Sequence, residues 1–246
     1  MLLCALDAAA VKLWLAGDST MAKASTANMQ GWGEKLQPLM SLPVVNKAIG
    51  GRSARSYTVE GRFAEITKSV AAGDFVVIEF GHNDGGSLSN DNGRTDCPGS
   101  GSETCKSTYK GERVTVKTFP AYLIEAGKAY TAKGARVVFS SMTPNNVWEG
   151  GKYTYGPGRF TEYARDAAKA VGKGATFVDH GSYTAAAYKA LGAKTVNGFY
   201  PNDHTHTNAE GAEVVAKAFV KAVVCAKDGL AEHVKSGVAL VPSGCL

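Results

Sequence analysis

Five apolar runs alternate with amphipathic stretches along this chain, and no other feature constrains its fold as much. The runs occupy 11–16, 44–46, 75–80, 136–141 and 176–178. They are short and lack a polar face, as strands buried on both sides do. Helical patterns stand between them: the stretch "GWGEKLQPLM" and residues 59–71, 119–133, 159–171, 183–191 and 209–225. In the last, Val214, Val215, Ala218, Phe219 and Ala222 form one stripe at helical spacing. This alternation predicts an α/β fold, a three-layer α/β/α sandwich around a mainly parallel five-stranded sheet. The Gly- and Ser-rich segment 85–111 reads as an irregular loop insertion, and 11–246 as a single domain.

In such sheets, sites form beyond the carboxyl ends of the strands. Three polar clusters fall there. "GDST" follows the first run, "AIGGRS" the second and "GHNDGG" the third. Ser19 in the first cluster is either a turn or cap residue or a nucleophile. A serine nucleophile needs a base. The chain has five histidines, His82, His180, His204, His206 and His233, and two of them lie in "YPNDHTHTNAEG" before the last helical pattern. Asp203 stands three residues before His206, a spacing that lets a carboxylate hold the imidazole in one tautomer. Thr207 or Asn208 can cap the following helix at the same time. Asp203, His204 and His206 could instead ligate a metal, although no further His or Cys ligand pair accompanies them. Gly51 can present a bare backbone N–H and Asn83 a side-chain amide, the donors that a developing oxyanion requires. Each alone is an ordinary turn residue.

The net charge of +5 comes from Lys and Arg residues that are scattered rather than clustered. Nucleic acid is therefore not expected as a partner. No apolar run approaches the ~20 residues of a membrane span, so no membrane partner is expected either. Residues 1–10, "MLLCALDAAA", read as an atypical leader that lacks a basic start. Of five cysteines, Cys4 lies in that leader; Cys97, Cys105, Cys225 and Cys245 allow three pairings. No Asn-x-Ser/Thr sequon occurs.

Taken together, "GDST", the glycine of "AIGGRS", "GHND" and "DHTH" resemble the four blocks of the SGNH (GDSL-type) hydrolase superfamily. The longer stretches "LAGDSTMAK", "GRSARSYTVEGRF", "IEFGHNDGGSLSNDNGRTDC" and "DHTHTNAEGAEVVAKAF" resemble, more narrowly, the rhamnogalacturonan acetylesterases. The resemblance covers about residues 11–246. It implies an SGNH-hydrolase, flavodoxin-like sheet and a secreted monomeric enzyme without metal or cofactor. It implies Ser19 as nucleophile, His206 as base and Asp203 as its orienter, with His204 a bystander. The oxyanion hole is implied at the amides of Ser19 and Gly51 and the side chain of Asn83, and disulfides at Cys97–Cys105 and Cys225–Cys245. The implied substrate is an acetylated pectic polysaccharide whose galacturonates carry carboxylates. Arg52 and Arg55, with Arg62 nearby, are candidates to meet those carboxylates. Trp148, Tyr153 and Tyr155 form a candidate platform for sugar rings. The alternatives are an esterase for another acetylated glycan, such as xylan or peptidoglycan, and a carbohydrate-binding protein without catalysis.

Overall fold

The computed structural model describes residues 10–24 and 26–246. The expected leader at 1–10, with Cys4, lies almost wholly outside the described residues. The five apolar runs form one parallel sheet of β1 (Leu13–Gly17), β2 (Val44–Asn46), β3 (Phe75–Glu79), β6 (Arg136–Ser140) and β7 (Ala175–Val178). Their spatial order is β2-β1-β3-β6-β7. Register is set by Leu13 opposite both Val44 and Phe75, and by Phe75 opposite Arg136.

Strand side chains alternate between two cores because successive residues point to opposite faces. Leu13, Leu15, Phe75, Val77 and Val138 enter one core; Trp14, Ala16, Val76, Ile78, Val137 and Phe139 enter the other. Helices α5 (His180–Asn197) and α6 (Ala209–Cys225) cover the first face. The second is covered by α1 (Ala54–Val59), α2 (Arg62–Ser69), α3 (Phe119–Ala132) and α4 (Arg159–Val171). Each core thus has its own helical layer, and the sandwich expected from the alternation is formed.

Three elements differ from the sequence expectation. The helix expected at 59–71 is two helices, α1 and α2, separated at Gly61 (φ +73°). Helix α1 starts earlier than its apolar pattern because Ser53 and Ser56 form a reciprocal capping box. The stretch "GWGEKLQPLM" makes only two short 3-10 turns, Trp32–Lys35 and Gln37–Leu39. The segment 85–111 is not wholly irregular. It runs into an antiparallel hairpin of β4 (Thr104–Tyr109) and β5 (Glu112–Lys117), turned by Lys110 and Gly111, both at positive φ. Disulfide Cys97–Cys105 ties the loop to this hairpin, and Cys225–Cys245 ties the tail to the end of α6.

The chain leaves β1 towards β2 on one side and later returns to β3 on the other. The carboxyl ends of β1 and β3 therefore flank a topological switch point, where open α/β sheets have a crevice.

Candidate active site

Ser19 stands two residues beyond β1. Gly17 is required there: a Cβ would lie 2.7 Å from Met21 Sδ and 2.9 Å from the Glu79 carbonyl. Asp18 is buried and shapes the turn, its Oδ1 accepting from Thr20 N at 2.9 Å and Thr20 Oγ1 at 2.8 Å. Burial raises the Asp18 carboxyl above its ordinary range, against the pull of nearby His82. Ser19 opens onto a cleft of ≈ 370 Å³ whose wall includes Lys23, Ile49, Gly50 and Arg52.

The segment before α6 folds back over this edge. Asn208 caps α6 through Gly211 N at 2.9 Å, which ends the loop in a fixed place. Asp203 Oδ1 accepts from the backbone N–H groups of Thr205 (2.7 Å) and His206 (2.8 Å), so the carboxylate organises its own turn. Its Oδ2 accepts from His206 Nδ1 at 2.7 Å. On the far side of the ring, His206 Nε2 lies 2.8 Å from Ser19 Oγ. The carboxylate only accepts, so the proton is assigned to Nδ1 and Nε2 is left to accept from Ser19. Partial desolvation alone would raise the Asp203 carboxyl. The hydrogen bonds from His206 and Thr205 outweigh it and hold the pKa at about 2.

His204 turns the other way, with Nδ1 3.2 Å from Glu149 Oε1. Asp203, His204 and His206 therefore do not converge as metal ligands, and among the described residues no cluster of three or more His, Cys, Asp or Glu side chains is placed to hold a metal ion.

Gly51 and Asn83 reach the same edge. Gly51 sits at φ +74°, a conformation natural for glycine. Among the described residues, the N–H groups of Ser19 and Gly51 have no partner within the chain. Asn83 Nδ2 donates to the Arg52 carbonyl at 3.1 Å, and its Oδ1 accepts from Arg94 Nη1 at 3.3 Å. Arg94, which the sequence did not single out, thus belongs to the edge.

The candidate substrate contacts divide. Arg52 keeps its place in the cleft wall, with Nε 3.1 Å from Glu60 Oε1. Arg55 does not. Its guanidinium is buried, pairs with Asp91 through two bonds of 2.8 Å and donates to the Thr95 carbonyl at 2.7 Å. At 4% exposure and already paired with a carboxylate, the guanidinium is not open to a substrate carboxylate, so Arg55 is a structural residue. Arg62 pairs with Glu60 and Glu65. Trp148 is half-buried: its Nε1 donates to the Tyr188 carbonyl at 3.0 Å and its ring packs edge-on against Tyr153, which fastens its loop to α5. Tyr155 lines a second cleft, of ≈ 480 Å³, together with Asn145 and Arg159. That cleft adjoins the loop that carries Asp203 and His206, since Asn146 N donates to the His204 carbonyl and Thr205 Oγ1 to Asn145 Oδ1.

The chain has relatives among known proteins. Residues 13–219 match the family described as GDSL-like Lipase/Acylhydrolase. The chain belongs to that family. It is 60% identical, over 89% of its length and 87% of the relative's, to a rhamnogalacturonan acetylesterase of Emericella nidulans. A rhamnogalacturonan acetylesterase of Bacillus subtilis is 29% identical, over 87% of this chain and 89% of the relative. Among solved structures, a Bacillus subtilis protein superposes with a TM-score of 0.70 at 19% identity; it covers 89% of this chain, which spans only 58% of that protein. An acetylxylan esterase of Geobacillus stearothermophilus superposes with a TM-score of 0.52 at 16% identity, over 87% of this chain and 94% of the other. At these identities the structural likenesses describe the fold.

Proposed function

We propose that the protein is a carbohydrate esterase that removes O-acetyl groups from acetylated rhamnogalacturonan through an acetyl-enzyme on Ser19. The observation that carries this reading is the unbroken chain Asp203 Oδ2–His206–Ser19 Oγ, with contacts of 2.7 and 2.8 Å. The relative from Emericella nidulans supports the choice of substrate.

His206 Nε2 takes the proton from Ser19 Oγ as the oxygen attacks the acetyl carbonyl. Asp203, ionised at working pH, stabilises the imidazolium that forms. Negative charge builds on the former carbonyl oxygen, and in this reading the N–H groups of Ser19 and Gly51 with Asn83 Nδ2 meet it. As the tetrahedral adduct collapses, His206 returns the proton to the departing sugar hydroxyl, leaving acetate esterified to Ser19. Water then attacks this ester, His206 takes the water's proton, and acetate leaves with the proton going back to Ser19 Oγ. Lys23, beside the Arg52–Glu60 ion pair, gives the cleft wall positive charge suited to an acidic polymer.

Two further parts of the reading concern the whole molecule. We place the enzyme outside the cell as a monomer, acting as one catalytic domain over 11–246. The two disulfides support an oxidising compartment. The test is acetate release from acetylated rhamnogalacturonan beside acetylated xylan and acetylated peptidoglycan. Preference for the pectic polymer by kcat/KM is expected. Equal or better turnover of another polymer would move the substrate assignment while leaving the chemistry in place.

A further inference from the structure

The amide of Asn83 has two ends, and the chain holds both. Nδ2 meets the backbone carbonyl of Arg52, which can only accept; Oδ1 meets the guanidinium of Arg94, which can only donate. These two partners exclude the flipped amide. With one N–H of Nδ2 on the Arg52 carbonyl, the other is left for a ligand.

Arg94 itself is half-buried and, among the described residues, has no carboxylate within ion-pair distance. Its Nη1 would lie 3.9 Å from a Cβ placed on Gly51. The cation therefore stands beside two of the three proposed oxyanion donors. Its backbone is fixed with unusual redundancy. Asn92 Oδ1 accepts from Arg94 N (2.8 Å) and Thr95 N (3.1 Å), and Asp91 Oδ1 accepts from Gly93 N (2.7 Å). Arg55 clamps this loop at both ends, through Asp91 and the Thr95 carbonyl. A buried ion pair thus presents a second, unpaired arginine to the amide of Asn83.

We propose that Arg94 is a positioning residue of the esterase reaction, acting through Asn83. It locks the amide with Nδ2 towards the oxyanion and, by withdrawing electron density from Oδ1, makes that N–H a stronger donor. This rests on Asn83 being an oxyanion donor, so the two are tested together on a small neutral acetate ester, which has no carboxylate for Arg94 to bind.

Asn83→Ala should lower kcat by about 100- to 1000-fold. Arg94→Met should lower kcat by about 10- to 100-fold, the range of a charge-assisted hydrogen bond, with KM and melting temperature unchanged. Arg94→Lys, which restores a charged donor, should recover part of the loss. In the Asn83→Ala background, Arg94→Met should cost nothing more, because the group it acts through is gone. An equal fold-loss in both backgrounds, or an unchanged kcat in Arg94→Met, would overturn the proposal while leaving Asn83 in place. Full activity in Asn83→Ala alone would instead remove Asn83 from the oxyanion hole, and with it the role of Arg94.

Discussion

Glu79–His180 and Asp203–His206 are both carboxylate–histidine pairs with a 2.7 Å contact to Nδ1, and they do different things. What differs is the atom at the other ring nitrogen. His206 Nε2 faces the Ser19 hydroxyl, which can surrender a proton. His180 Nε2 faces the Val215 carbonyl at 3.0 Å, which can only accept, so that nitrogen must carry a proton and cannot be a base. Burial follows the same division. The His180 and Glu79 side chains are 0% and 1% exposed, whereas His206 and Asp203 are 24% and 43% exposed. Glu79 also accepts from Trp32 Nε1 and Ser140 Oγ, so the inner pair pins strands β3 and β6 to α5 and α6. The residue pair does not make a site; the third group and access to it do.

The comparison breaks if exchanging the histidines gives similar damage. His206→Ala should lower kcat by about 10⁵-fold with an unchanged melting curve. His180→Ala should leave the turnover of the folded fraction intact but remove about 3–5 kcal/mol of stability, the usual cost of stranding a buried partner. Steady-state kinetics and thermal unfolding of both variants decide it.

Asp203→Asn sharpens the outer pair. It should lower kcat by about 10³- to 10⁴-fold, because the tautomer of His206 is no longer set. In the wild type, Asp203 remains ionised down to about pH 2. Asp203 should therefore contribute nothing to the acid limb of kcat/KM above that pH.

Arginines repeat the contrast of inner and outer roles. Arg55→Gln should destabilise the fold by about 3–5 kcal/mol, since it leaves Asp91 buried without its partner. Turnover of acidic polymer and of small neutral ester should fall in parallel. A loss confined to KM on the polymer would return Arg55 to the substrate.

The smallest effect concerns a third carboxyl. Burial holds Asp84 well above the ordinary range, opposite in sign to Asp203. The folded protein keeps a proton that the unfolded chain gives up near pH ~3.9. Stability from this group is complete below that pH and is lost as pH rises through the folded value. Asp84→Asn should flatten the decline of melting temperature with rising pH; an unchanged slope would show that another group is responsible.

How far these roles were readable in sequence depends on how local their causes are. The five strands were legible because parallel strands buried on both faces are continuous apolar runs. The β4–β5 hairpin was not: its first strand alternates exposed and half-buried residues such as Lys106, Ser107 and Thr108, and its turn uses Lys110 in place of the Asn or Asp that marks such turns. Ser19, Asp203 and His206 were legible because each sits in a short motif at a strand or helix end, and Gly51 and Asn83 were singled out by the same strand-end logic. Arg55 was misread because its partner Asp91 is 36 residues away and nothing in "GRSARSY" signals burial. Arg94 was overlooked for the same reason, its position being defined by that distant clamp.

The central claim is that Ser19 carries the acetyl group and His206 takes its proton. Rapid mixing with an acetate ester, acid quenching and peptide mass mapping test it directly. An acetyl group should be found on the peptide containing Ser19 in the wild type, and on no peptide in Ser19→Ala or His206→Ala. Acetylation of another residue, or sustained acetate release by folded Ser19→Ala, would contradict it.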